Sequence, residues 1–375
     1  MENGFNEEDY ATFKGSGGEL FSIWIVNILL TIVTFGIYSA WAKVRIRKYL
    51  LVMTEYRDER FDYHARPWPI LKGRIVVLIL FSVYAGCAAF SPYTGVIGII
   101  LIALAFPYLL LKSFQFNVHY TSYRNVRFRL EVDYKQEIRA YFLRALPIII
   151  SVGVSLFIAP VERMKGQELG VNDYIALGLF AVNALYTALY FGPFFLNWLY
   201  SNLYGNLYYG NIKFSFDSSV KEVWKKIVLP YSGLVVGMLT LLFGGAFFGA
   251  FLNNFLITGI GMVLFYLSLI AASLYFPFLV QHYIWNRIAC GAGRASFSLT
   301  FGRYFRVNFI NFILMGLTLG LYFPFAKVRV LKLLYQHRAL SLTSLDDVVQ
   351  VEASSQSAVA DEVSDAFDID FEIGI

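Results

Sequence analysis

The stretch from Asn27 to Arg45 returns near the other end of the chain, without a gap, as Asn311 to Arg329. Asn27, Thr34, Gly36, Tyr38, Ala42, Lys43, Val44 and Arg45 reappear at one constant offset as Asn311, Thr318, Gly320, Tyr322, Ala326, Lys327, Val328 and Arg329. Agreement of this kind predicts related structural units at the two ends.

Each copy runs an apolar segment into a Gly-aromatic break and then a basic segment. Leu20 to Thr34 rises only about 22 Å as a helix, short of the ~30 Å hydrocarbon core of a bilayer. Gly36 and Gly320 are expected helix ends, because glycine takes a left-handed conformation without steric cost. Beyond the break, Ala42, Ile46, Tyr49, Leu50 and Met53 share one helical face, with Lys43, Arg47 and Lys48 elsewhere. Ala326, Val330, Leu333 and Leu334 repeat that stripe beside Lys327 and Lys332. The pattern predicts an amphipathic helix in the headgroup region, its cations near anionic lipid. A charge at the bilayer centre costs ~2.5–3.5 kcal/mol, so the cations from Lys43 to Lys48 exclude a deep position. A basic flank on an ordinary span is the competing reading.

Glu19-Leu20, Asn27, Thr34-Phe-Gly-Ile-Tyr38 and Trp41-Ala-Lys-Val-Arg45, led in by Gly15-Ser-Gly-Gly-Glu19, resemble the signature of the YjgN family. The resemblance covers roughly residues 10 to 343. It implies a bacterial inner-membrane protein and supplies no activity or catalytic residue. The C-terminal copy departs from the pattern, with Arg303 in place of Glu19 and Phe325 in place of Trp41.

Composition agrees with a membrane protein: 58% of residues are hydrophobic and 15% charged. The net charge of +5 hides an asymmetry, since from Ser341 onward there is no Lys or Arg while acids run from Asp346 to Glu372. The basic remainder suits a lipid surface better than nucleic acid. Cys87 and Cys290 sit in or beside apolar runs, which argues against a disulfide framework. No cleavable signal peptide is expected.

The expected organisation is an N-terminal tail over 1–9, a membrane domain over 10–343 and an acidic disordered tail over 344–375. The repeat motifs occupy 13–53 and 297–337, and three hairpins lie at about 75–116, 145–200 and 227–282. Their tight connections are Ser91 to Thr94, the loop near Glu162 to Asp173, and Asn253-Asn254. The linkers on the other side carry most of the cations, so the positive-inside rule puts those linkers in the cytoplasm.

The linkers also alternate. Val126, Phe128, Leu130, Val132 and Tyr134 recur with period two, as do Ile212, Phe214 and Phe216, and Phe297, Leu299 and Phe301. Phe61 with Tyr63, Leu340 with Leu342, and Ala11 with Phe13 are shorter cases. Period two predicts half-buried strands, paired across the junctions into a small cytoplasmic sheet. The fold class read from this is an all-α polytopic membrane protein with internal repeats. It has three transmembrane hairpins, two flanking helix–break–basic-helix motifs and short junction strands. If each terminal motif crossed once, the charge rule would orient the two oppositely; reversal at Gly36 and Gly320 keeps both tails cytoplasmic.

Pro107, Pro193 and Pro277 occupy equivalent places in the second helix of each hairpin, where each is expected to kink it. Polar groups follow them: Ser113, Gln115 and Asn117; Asn197, Ser201 and Asn202; Gln281, His282 and Asn286. Polar side chains at membrane depth face a bundle interior or a wet cavity. The functional reading is a polar cavity that binds or passes a small solute or lipid. The bland one is interhelical hydrogen bonding. The four histidines have no metal-ligand spacing, and neither a P-loop nor a nucleophile elbow occurs, so no metal, cofactor or catalytic residue is expected. Two functions remain open: solute or lipid handling through the cavity, or a non-transporting membrane organiser acting through basic interfacial helices and the acidic tail.

Overall fold

The computed structural model describes residues 6, 9–90, 92–158, 171–291 and 293–341. The acidic tail, Leu342, most of the loop near Glu162, Ser91 and most of the 1–9 tail lie outside the described residues. The chain runs β1 (Thr12–Phe13), α1 (Gly17–Val33), α2 (Ser39–Val52), β2 (Thr54–Tyr56), β3 (Glu59–Tyr63), α3 (Pro67–Phe90) and α4 (Pro92–His119). It continues through β4 (Thr121–Tyr123), β5 (Val126–Leu130), α5 (Tyr134–Ile158), α6 (Val171–Tyr186), α7 (Gly192–Gly205), β6 (Leu207–Tyr209) and β7 (Ile212–Phe216). The remainder is α8 (Val220–Val223), α9 (Leu229–Phe251), α10 (Phe255–Trp285), β8 (Ile288–Cys290), β9 (Gly293–Phe297), α11 (Phe301–Leu317), α12 (Phe323–Tyr335) and β10 (Arg338–Leu340).

Helix ends follow local chemistry. The Ser16 hydroxyl accepts from the Glu19 N–H at 3.2 Å and so caps α1. Asp133 caps α5 through the Lys135 and Gln136 amides, and Asn254 caps α10 through Leu256. Two π-helical turns, Thr187–Phe191 and Trp224–Val228, each precede an X-Pro pair, with Gly192 N–H donating to Thr187 O and Leu229 N–H to Trp224 O. Proline has no N–H to give the helix ladder, and the widened turn accommodates the carbonyl it leaves.

The short junction strands expected from alternation are present, and they are more numerous than alternation predicts. Among the described residues there are ten strands, and the ladders that pair them within each unit are antiparallel. Residues expected from alternation do lie in β1, β3, β5, β7, β9 and β10. The expected strands are over-extended: β5 stops at Leu130 and β9 at Phe297, because Tyr134 and Phe301 already begin helices. Strands β2, β4, β6 and β8 were not expected. Tight turns connect them to their successors, with left-handed residues Arg57 and Asp58, Arg124 and Asn125, Gly210, and Gly291.

The described residues divide into two compact units. In the unit holding 60–215, the ladder from β3 to β7 has one apolar face. The Phe61 and Tyr123 rings pack tilted at 4.8 Å between centroids, and the Phe128 and Tyr209 rings at 4.9 Å. Burial pushes the Tyr209 hydroxyl up to about 12, and it donates to Tyr123 O at 3.0 Å. Exposed Arg60, Arg127 and Lys213 occupy the opposite face.

In the other unit the described segments near residues 10 and 339 meet. Tyr10 bridges Ala339 in antiparallel fashion, β1 pairs β2, and β10 pairs β9. Asp9 is 5% exposed and pairs with Arg57 at 3.0 Å, so the expected tail is anchored by residue 9.

Helices pack in antiparallel pairs. Gly95 and Gly98 of α4 lie against Ala88 and Tyr84 of α3. In α5 and α6, Ser151 donates to Asn183 Oδ1 at 2.5 Å and Tyr186 donates to Arg144 O at 3.0 Å. In α9 and α10, Gly245 faces Gly261 and Gly249 faces Thr258. Among the described residues five helical stretches are long and apolar enough to cross a membrane: Pro67–Ala89, Tyr134–Ser155, Tyr174–Gly205, Val220–Phe251 and Phe255–Trp285.

Candidate functional site

The matching sequences fold alike. In α1 the Gly36 N–H reaches back to Thr31 O at 2.8 Å and Phe35 N–H to Ile32 O at 3.1 Å. In α11 Gly320 N–H reaches Met315 O at 2.8 Å and Leu319 N–H reaches Gly316 O at 3.2 Å. This is the Schellman closure, which satisfies the last carbonyls of a helix. The left-handed stretch is two residues long in each, Phe35 (φ 50°) with Gly36 (φ 93°) and Leu319 (φ 50°) with Gly320 (φ 88°). Sequence reasoning expected only the glycine there.

Threonine locks each turn. Thr34 donates to Leu30 O at 2.7 Å and accepts from Tyr38 N–H at 3.0 Å; Thr318 does the same with Leu314 O and Tyr322 N–H at the same distances. Behind the turn, Asn27 Nδ2 donates to Ala42 O at 3.4 Å and Asn311 Nδ2 to Ala326 O at 3.5 Å. Both asparagines are 2% exposed. These long hydrogen bonds from buried amides fix where the returning helix crosses the outgoing one. The repeated Asn, Thr and Gly are therefore turn-building residues.

The turns are apolar and open. Phe35 is 98% exposed and Leu319 94%, with Ile37 and Leu321 also exposed. Lys43 and Lys327 each lie seven residues past the glycine, ~10 Å along a helix. Arg45, Lys48, Arg329 and Lys332 are exposed. Arg47 is turned inward and donates to Asn117 Oδ1. Arg329 reaches Asn311 Oδ1 at 3.4 Å. Driving either basic helix to the bilayer centre would cost ~2.5–3.5 kcal/mol per cation.

The expected cavity residues have local partners. Gln115 accepts from Tyr134 at 2.5 Å and Lys112 at 3.1 Å and donates to Leu130 O in β5 at 3.5 Å. Asn202 donates to Glu137 at 2.9 Å and to Trp198 O at 2.9 Å. Gln281 accepts from Arg338 of β10 at 2.9 Å, and Asn286 accepts from Phe297 N–H of β9 at 3.0 Å. His282 and Asn286 are exposed, Ser113 is buried and Asn197 half-buried. Pro107 and Pro193 are buried and Pro277 half-buried; Pro107 and Pro277 lie inside helices, Pro193 just after a π turn. Several of these amides thus tie the end of a long helix to an adjoining strand or helix.

Other polar groups at membrane depth escaped the sequence reading. Arg144, ten residues into α5, lies 4.4 Å from the Phe194 ring and donates to Ala140 O at 3.2 Å. Asn183, which receives Ser151, has a buried Nδ2 without a hydrogen-bond partner. Ser155 is fully buried. A spacing of seven and then four residues puts Arg144, Ser151 and Ser155 on one face of α5, a signal that was readable. Among the described residues no group of three or more His, Cys, Asp and Glu is placed to hold a metal ion.

Long apolar helices, antiparallel helix pairs and basic junctions with paired strands define an α-helical integral membrane protein. The chain belongs to the family of bacterial proteins of unknown function called DUF898, whose profile matches residues 9–366. Inner membrane protein YjgN of Salmonella typhimurium strain LT2 is 23% identical over 354 residues, 88% of each chain. Inner membrane protein YjgN of Escherichia coli strain K12 is 23% identical over 373 residues, 92% of this chain and 91% of that protein. No solved structure matches the chain.

Proposed function

We propose that this is a multi-pass, non-enzymatic protein of the bacterial inner membrane. In this reading it binds anionic phospholipid headgroups through the cations of α2 and α12 and organises lipid around its helices. The two terminal motifs are read as copies of one unit, flanking three transmembrane hairpins. The basic junctions and both termini face the cytoplasm. The observation carrying the proposal is the repeated placement of exposed cations nine and twelve residues past the glycine of an exposed apolar turn, Arg45 and Lys48 in one motif and Arg329 and Lys332 in the other. Cations at that height meet headgroup phosphates while the turn meets acyl chains. The bridge between Tyr10 and Ala339 supports termini on one side of the membrane.

The cations facing outward test it. The variant carrying Arg45→Gln, Lys48→Gln and Lys332→Gln leaves the Arg47 and Arg329 contacts intact. Purified wild-type protein is expected to retain phosphatidylglycerol and cardiolipin several-fold over phosphatidylethanolamine, and the variant to lose that enrichment. Unchanged enrichment in the variant refutes the lipid-binding role.

A second reading, binding or passage of a small solute or lipid, is favoured by the polar face of α5 with Arg144 and by the unpaired Asn183 amide. It predicts that Asn183→Leu impairs flux or ligand binding with little loss of folding. If Gln115→Leu and Asn202→Leu instead alter only stability, those amides serve packing.

A further inference from the structure

The residues at the turn of each terminal motif are unusual in kind. Position C′ of a Schellman turn favours glycine, because an L side chain in the left-handed region is strained. Here that position holds phenylalanine in one motif and leucine in the other, although a glycine follows each. Neither side chain packs into the protein, as their exposures of 98% and 94% state. Strain is thus accepted twice for a large apolar group that points away from the fold. Tertiary packing gives no return for it.

We infer that Phe35 with Ile37, and Leu319 with Leu321, are anchors inserted into the acyl-chain layer of the cytoplasmic leaflet. The inference rests on the lipid-binding reading and adds the depth and direction of insertion. The occupant follows from the charge pattern and the length. The exposed Arg45 and Arg329 stand nine residues past the glycines, ~13 Å along a helix, and half of a ~30 Å hydrocarbon core is ~15 Å. With these cations at the headgroups, each turn ends within its own leaflet and the chain returns to the side it left. A protein partner in the apolar turn would not account for cations at that height behind both turns. Each motif is therefore a wedge that displaces chains in one leaflet without crossing the other.

Nitroxide labels measure this. The full chain, with Cys87→Ser and Cys290→Ala, is reconstituted in phosphatidylethanolamine and phosphatidylglycerol bilayers. Labels are attached at Ile37→Cys, Leu321→Cys, Arg45→Cys or Lys332→Cys. The turn labels are expected to relax strongly with oxygen and weakly with a water-soluble nickel chelate; the labels on the basic helices should do the reverse. Turn labels open to the nickel chelate overturn the anchor. Phe35→Gly together with Leu319→Gly gives a second measure, since glycine suits the left-handed position. That pair should leave the thermal midpoint unchanged or raised while the turn labels become several-fold more accessible to nickel. Unchanged depth in the pair also overturns the inference. Anionic lipid retention on the same preparations separates the two proposals: shallow turns with retained enrichment defeat the anchor alone, and lost enrichment with deep turns defeats the headgroup reading alone.

Discussion

Gly261→Leu is expected to separate α9 from α10 and to unfold a large share of the protein at temperatures the wild type survives. A Cβ on Gly261 would fall 2.7 Å from the Gly245 Cα and 3.2 Å from the Leu241 carbonyl, so backbone meets backbone. No flexible side chain can yield. Close approach of this kind is how helices associate in lipid, where the hydrophobic effect no longer drives them together. Overpacking costs typically ~1–3 kcal/mol, and the loss here belongs at or above the top of that range. Gly259→Ala supplies the control, because nothing lies within 4 Å of its added carbon. Thermal unfolding in detergent should fall sharply for the first variant and stay level for the second. Equal midpoints would mean that the two glycine faces do not touch.

Gly36→Val combined with Gly320→Val should destabilise both terminal motifs. Space is not the issue, since neither glycine has a neighbour within 4 Å of an added Cβ. The cost is conformational: φ of 93° and 88° lies where a β-branched residue is strongly disfavoured. A left-handed L residue costs roughly 1–2 kcal/mol, so the double variant loses at least about twice that. The neighbouring Phe35→Gly and Leu319→Gly changes carry the opposite sign. The denaturation midpoint should therefore fall for the valine pair and hold or rise for the glycine pair. Movement in the same direction would contradict the turn geometry.

The terminal motifs were legible because their residues are spent on the turn itself: Thr34 caps, Gly36 reverses and Asn27 clamps, and Thr318, Gly320 and Asn311 do the same. What stayed hidden was the left-handed Phe35 and Leu319, since no side-chain preference points to that conformation. Strands β5 and β7 announced themselves through alternation. Their partners β4 and β6 have only three residues each, too few for a period to register. A signal was nonetheless present. Tyr56-Arg-Asp-Glu-Arg-Phe61 repeats the pattern of Tyr123 to Phe128 and Tyr209 to Phe214, with the tyrosine buried and the turn at the next two residues. Alternation misled at Val132, Tyr134, Leu299 and Phe301, where it ran on through the cap of the following helix. Arg144 was lost because an apolar run counted from Ala145 leaves it just outside. The prolines and trailing amides suggested one shared cavity because they align in sequence. Alignment places them at matching heights, whereas their partners are set by the strands and helices beside each of them.

The proposed function requires the two terminal segments to share one side of the membrane, and the side on which cysteines react tests this directly. Single cysteines are placed at Asn6, Gln167 and Ser354 in a background lacking Cys87 and Cys290. Spheroplasts are then treated with an impermeant thiol reagent before and after permeabilisation. The expected result is labelling at position 167 in intact spheroplasts, and at positions 6 and 354 only once the membrane is opened. Labelling of either terminal position in intact spheroplasts would contradict the account.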